Sequence, residues 1–207
     1  MNSIGNVTVV GLTGQSGAGK TTVCDVFRSN GFSIINADTI AREVTQKGTP
    51  CLRNIGEVFP ECIDSETQEL DRKKTAQIVF NDKDLLKLFN SIMYPYITTK
   101  ILADIRNMST CGVKFVLLDA PTLFESRADD FCNYIVSVVA DEEIRLKRIT
   151  ERDSISEEMA RSRFNSQNDD NYYISRSDLV ITNNSDLEKL KKSANEAVFK
   201  IKEMFHA

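Results

Sequence analysis

The sequence predicts an α/β fold of three layers, α/β/α, with helices on both faces of a five-stranded parallel sheet. Three observations predict it. Five apolar, strand-like runs recur along the 207 residues: VTVVGL at 7–12, FSII at 32–35, KFVLLD at 114–119, YIVSVVA at 134–140 and DLVIT at 178–182. Segments with apolar residues at helical spacing lie between them, and strands that alternate with helices form parallel sheets covered on both sides. The first run also leads into a glycine-rich stretch that opens a helix. Crossovers between such strands are right-handed.

The glycine-rich stretch is GQSGAGKT, residues 14–21, in a chain with nine glycines. Its spacing is G-x-x-x-x-G-K-[ST], fixed by Gly14, Gly19, Lys20 and Thr21. Glycines let the backbone adopt positive φ and approach a bulky anion. The N–H groups of Ser16, Gly17, Ala18, Gly19, Lys20, Thr21 and Thr22 then form a nest for phosphate at a helix N-terminus. Lys20 reaches the β and γ phosphates, and the Thr21 hydroxyl suits Mg²⁺. A flexible loop without a ligand is the alternative. The apolar strand before it, and Val23, Val26 and Phe27 at helical spacing after it, argue for a bound nucleoside triphosphate.

Asp38 follows the second strand. At that end of a parallel sheet a carboxylate can orient an attacking hydroxyl and accept its proton. It can equally cap the helix that TIAREV begins. The gap from 37 to 112 reads as several helices, including DRKKTAQIVF (71–80) and DKDLLKLFNSI (82–92), each with an aspartate to cap it. A break is expected at Tyr94-Pro95, because the residue before proline disfavours the α region. A further helix then runs over roughly 96–108. Such an insertion on the carboxyl side of the strands is where a second substrate binds. Asp119 ends the third strand, the place for a carboxylate that acts on Mg²⁺ directly or through water. Glu125 lies six residues on and ranks below it. Residues 142–170 read as two charged helices joined near Asp153-Ser154. Arg145, Arg148 and Arg152 share a face there. Arg161 and Arg163 follow. The arginines are either a solvated surface paired with glutamates or a lid that closes over phosphates and excludes water.

With 26 Lys+Arg against 30 Asp+Glu, the net charge of −4 gives no field that favours nucleic acid or an anionic membrane. Five cysteines, an odd number with no C-x-x-C, argue against a disulfide framework or a zinc site and for a reducing compartment. Each is expected to be a small buried hydrophobe. No signal peptide and no apolar run of membrane-spanning length is visible, so a cytoplasmic protein is expected. The one histidine, His206, stands at the far end of the chain, which removes the commonest general base.

Taken together, GLTGQSGAGKTT (11–22), INADTIARE (35–43), LLDAPTLFE (117–125), KRITERD (147–153), RFNSQ (163–167) and DLVITNN (178–184) resemble dephospho-coenzyme A kinases over nearly the whole chain. The resemblance implies a P-loop nucleoside triphosphate hydrolase-type fold of the nucleotide-kinase kind. It implies transfer of the ATP γ-phosphoryl group to the ribose 3′-hydroxyl of dephospho-CoA. It divides the chain into a core (about 1–37, 112–140 and 177–207), an acceptor-binding helical insert (about 38–111) and a lid (about 141–176). It makes Asp38 the catalytic aspartate, with Lys20, Arg148 and Arg152 acting on the phosphates. Arg42 is then a substrate contact, as are Asp119, Glu125, Arg163 and Gln167. Asn183 and Asn184 sit in the loop beside the adenine. The family usually has His-Pro where this chain has Tyr94-Pro95, and a tyrosine carries no positive charge near neutral pH. Thr122 and Ser185 also depart from the family pattern.

Two other readings are open on the residues alone. Another P-loop kinase could act on a nucleoside or a small hydroxy compound, but the long helical insert suits a larger ligand. A GTP-dependent regulator would need an N-K-x-D stretch, and neither NDKD (81–84) nor NNSD (183–186) supplies it.

Overall fold

Strand β1 (Thr8–Gly14) lies at the centre of the sheet, with buried residues along both faces. That position explains its unbroken apolar run, because a strand covered on two sides has no solvent face to alternate with. The computed structural model describes residues 6–165 and 167–206. The N-terminal lead, Ser166 of the RFNSQ stretch and the side chain of His206 lie outside the described residues. The other strands are β2 (Ser33–Asn36), β3 (Phe115–Asp119), β4 (Tyr134–Val139) and β5 (Leu179–Thr182). All five are parallel, in the order β2-β3-β1-β4-β5, as the sequence predicts.

One face of the sheet presents Val10, Leu12, Leu117 and Val136. Helices α1 (Lys20–Ser29) and α9 (Leu187–His206) cover it with Val23, Phe27, Val198 and Ile201. The other face carries Val9, Val116 and Leu118, equally buried. Truncating the fully buried Phe27 to alanine costs about 3–5 kcal/mol, so this layer holds the loop between β1 and α1 firmly.

The chain divides into a sheet-bearing unit (Met1–Ile35 and Ile105–Ala207) and a helical unit (Asn36–Asp104). The helical unit contains α2 (Ala37–Val44), α3 (Pro50–Val58), α4 (Arg72–Val79) and most of α5 (Lys83–Thr110). Cys51, Ile55, Phe59, Val79, Phe89 and Met93 form its core. Thr49 caps α3 ahead of Pro50, and Asp71 caps α4. The expected break at Tyr94-Pro95 is absent, and α5 runs through Pro95 as one helix of 28 residues. A mid-helix proline costs about 3 kcal/mol. Burial of Phe89, Met93 and Ile101 along the same helix returns about 1.5–3 kcal/mol each, which outweighs it.

Beyond β4 come α6 (Glu142–Asp153), α7 (Glu157–Asn165) and the short α8 (Asp170–Ile174). Helices α6 and α7 meet at Ser154, whose φ of 52° turns the chain. Leu146, Ile149, Ala160 and Phe164 form a small core of their own.

Cys24, Cys51 and Cys62 are buried, and burial pushes the Cys24 and Cys51 thiols up to about 11. Cys132 is half-buried, and Cys111 is exposed in the turn that ends α5 at Gly112. Among the described residues no cluster of ligands suits a metal ion, and no helix is long and apolar enough to cross a membrane.

Candidate active site

The loop between β1 and α1 is held from two sides within the sheet-bearing unit. At Gly17, φ is +79° and a Cβ would stand 2.9 Å from the Arg145 carbonyl oxygen, so α6 rests directly on the loop. At Gly19, φ is +106° and a Cβ would meet the Asn183 amide nitrogen. Only glycine satisfies both the left-handed backbone and the close approach. Gly19 occupies the cap position of α1, and Lys20 opens the helix. The Lys20 Nζ donates to the carbonyl oxygens of Gly14 (2.6 Å) and Gln15 (3.1 Å). Thr21 is exposed at the helix start, while Ala18 is buried.

Arg148 and Asn183 tie this loop to its surroundings. Arg148 Nη2 donates to the Asn183 carbonyl (3.1 Å) and side-chain oxygen (3.3 Å), and Nη1 donates to the Gly17 carbonyl (3.4 Å). Asn183 Nδ2 donates to the Ala18 carbonyl at 2.7 Å. Helix α6, the loop between β1 and α1 and the loop after β5 therefore share one hydrogen-bond network. Asn184 plays a different part. Its amide exchanges two hydrogen bonds with Asp141 at the head of α6, at 2.8 and 2.7 Å.

A second network crosses the same loop. The Ser16 N–H donates to Gln167 Oε1 at 3.1 Å, and Gln15 Nε2 donates to the Asn168 carbonyl at 3.2 Å. Asn168 Nδ2 in turn donates to Glu125 Oε1 at 2.7 Å. Desolvation raises the Glu125 carboxyl above its ordinary value, opposed by the Asn168 hydrogen bond and the Arg176 charge. Gln15 and Asn168 carry no motif signal, because each acts through its backbone or an amide rather than a charge. Asp119 ends β3 opposite Leu12 of β1, at the carboxyl edge of the sheet.

The arginines of α6 and α7 differ from one another. Arg145 is buried, donates from Nε to the Ala140 carbonyl and stacks 4.4 Å from the Phe164 ring. Burial lowers its pKa, and the Asp170 charge opposes the shift. Arg161 is a solvated pair to Glu142 and Glu143. Arg152 and Arg163 grip one carboxylate, Asp153, at 2.7 and 2.6 Å. Sequence reading placed Asp153 only as a helix joint. Its position directly after Arg152 was the available signal.

These two arginines hold the Asp153 carboxyl down at about 2, against a usual 3.8. The folded value lies below the unfolded one, so the clamp's contribution is complete above about pH 4 and is lost as pH falls towards 2. A side-chain carbon NMR titration is expected to place the Asp153 midpoint near 2. A midpoint at the usual carboxylate value would mean that the clamp does not persist in solution.

In the helical unit, Asn36 rather than Asp38 caps α2, accepting from the Thr39 N–H at 2.9 Å. The cap alternative for Asp38 therefore falls, because the capping oxygen is supplied two residues earlier. Asp38 stands exposed in the first turn of α2, and Arg42 lies one turn on along the same face. Neither side chain has a hydrogen bond or ion pair among the described residues.

The family model for dephospho-CoA kinase matches residues 8–189. A dephospho-CoA kinase of Oryza sativa subsp. japonica is 34% identical over 195 residues, spanning 94% of this chain and 85% of that one. One of Arabidopsis thaliana is 37% identical over 194 residues, spanning 94% and 84%. The solved structure of TT1252 from Thermus thermophilus superimposes with a TM-score of 0.80 at 25% identity, covering 94% of this chain and 98% of that chain. The match extends from β1 and its glycine-rich loop through α6, α7 and α8 to the start of α9, and the chain belongs to the dephospho-CoA kinase family.

Proposed function

We infer that the chain is a kinase that transfers the γ-phosphoryl group of ATP to the ribose 3′-hydroxyl of dephospho-CoA, giving CoA and ADP, the last step in making coenzyme A. The observation that carries this reading is the complete phosphate loop, Gly14 to Thr22, in a chain whose whole body matches that family. The loop N–H groups and Lys20 hold the β and γ phosphates and stabilise charge that spreads over the equatorial oxygens. The 3′-oxygen attacks the γ phosphorus, the bond to the β–γ bridging oxygen breaks, and ADP leaves with its electron pair. Asp38 aligns the hydroxyl and takes its proton late. Arg42 steadies the acceptor.

Arg148 and Arg152 act on the transferring group from the lid, and Arg163 and Gln167 complete that side. Asn183 and Asn184 shape the wall for the adenine. Mg²⁺ fits the donors present: the Thr21 hydroxyl and the Asp119 carboxylate are hard oxygen ligands, with Asp119 bound directly or through water. When bound, the ion neutralises phosphate charge. The helical unit is the acceptor-binding insert, and α6 to α8 form the lid that keeps water from the γ phosphate.

The test is ADP release in Mg·ATP with dephospho-CoA, with a panel of nucleosides, and with no acceptor. Release only with dephospho-CoA, abolished by EDTA, is expected. Faster turnover of a nucleoside would replace the acceptor, and equal release without acceptor would overturn the kinase reading.

A further inference from the structure

A pocket of about 590 Å³ lies wholly within the helical unit, between the first half of α3 and the segment 60–68. Its floor is apolar, made by Leu52 and Ile63. Gly56 keeps that floor open, since a Cβ there would stand 3.2 Å from the Ile63 side chain. Its rim holds Lys47 and Arg53, and no lining residue carries a carboxylate. Glu61, Asp64 and Glu66 belong to the same 60–68 segment but do not line the pocket, so the charged groups that face it are the two cations. Lys47 Nζ donates to the Thr67 carbonyl at 2.9 Å, which fixes the rim loop. Asp64 fixes the far wall by accepting the N–H groups of Glu66 and Thr67. The Arg53 guanidinium is exposed and has no partner among the described residues. Apolar floor and cationic rim together fit a ligand that carries phosphate next to a branched aliphatic group.

We propose that this pocket holds the diphosphate and the adjoining dimethyl-bearing pantoate portion of the acceptor, a proposal that rests on the acceptor assigned above. Its reach agrees. Asp38 stands in the first turn of α2, and Lys47 lies just past that helix's end. The six helical steps from Asp38 to Val44 rise about 9 Å, and the loop beyond adds a few more. In dephospho-CoA the diphosphate hangs from the ribose that carries the 3′-hydroxyl. The pantetheine beyond it is an amide-linked chain of about four residue equivalents, roughly 14 Å when extended. A hydroxyl at Asp38 therefore leaves the diphosphate and pantoate at the height of the pocket. The volume is ample for that portion of the ligand.

The test compares wild type, Arg53→Ala and Lys47→Ala in steady-state kinetics with Mg·ATP and dephospho-CoA. Adenosine and pantetheine 4′-phosphate serve as competitors for the acceptor site. Arg53 is exposed on a helix, where alanine is well tolerated. Each variant is expected to raise the KM for dephospho-CoA about tenfold while kcat stays within about twofold. The inhibition constant of pantetheine 4′-phosphate rises with it, and that of adenosine, which has neither phosphate nor arm, does not move. Absence of 3′-phosphorylated product from the wild type would sink the acceptor reading itself. Normal product formation with unchanged KM in both variants, or an equal loss for adenosine, would sink the pocket assignment and leave that reading intact.

Discussion

Lys20→Ala is expected to lower kcat by about 10²–10³-fold, the size of effect seen when one preorganised donor to transition-state charge is removed. Lys20 is placed for this by its position at the first residue of α1, behind a loop that only glycines can form. Its ammonium also donates to two loop carbonyls, Gly14 and Gln15, so the substitution leaves those oxygens short of a donor. That loss is local, and the buried layer of Val10, Leu12, Val23 and Phe27 beneath it is untouched. A fall of a few degrees in Tm, with unchanged circular dichroism, is expected beside the collapse in turnover. Near-normal kcat in a folded Lys20→Ala protein would remove Lys20 from the chemistry.

Asp38→Asn is expected to lower kcat by about 10²-fold or more, within the range for loss of a positioned proton acceptor. A carboxylate is a weak base, so Asp38 aligns the hydroxyl first and takes the proton late. Asparagine keeps the shape and one acceptor oxygen but cannot take the proton. Because Asn36 caps α2, the substitution breaks no cap. It removes one negative charge from the first turn, worth about 0.3–1 kcal/mol. Stability and the KM for ATP should therefore change little while kcat falls. Wild-type kcat in Asp38→Asn would move the search for the base to Asp119 or Glu125.

The strands and the phosphate loop were legible because their signals are local. A doubly covered strand needs a continuous apolar run, and a phosphate nest needs glycine at fixed offsets. The helix through Pro95 was not legible, because a local rule at Tyr94-Pro95 lost to burial of Phe89, Met93 and Ile101. The capping role left open for Asp38 belongs to Asn36, since both residues are good caps and only the backbone decides between them. The arginines shared one pattern in the sequence and have separate surroundings in the fold. Arg145 is stacked and buried, Arg148 bridges to the loop carbonyls, and Arg152 and Arg163 share Asp153. Arg148 and Arg163 take their surroundings from partners 131 and 10 residues away, beyond any periodicity argument, whereas the Arg152 partner is the next residue.

The most direct measurement is the identity of the product formed from dephospho-CoA and Mg·ATP. Mass spectrometry fixes the number of phosphoryl groups added, and phosphorus–proton NMR correlation fixes the carbon that bears them. One phosphoryl group on the ribose 3′-oxygen, with one ADP released per product, is the predicted result. Phosphorylation at the 2′-oxygen or elsewhere on the molecule, or ADP formed without any phosphorylated acceptor, would contradict it.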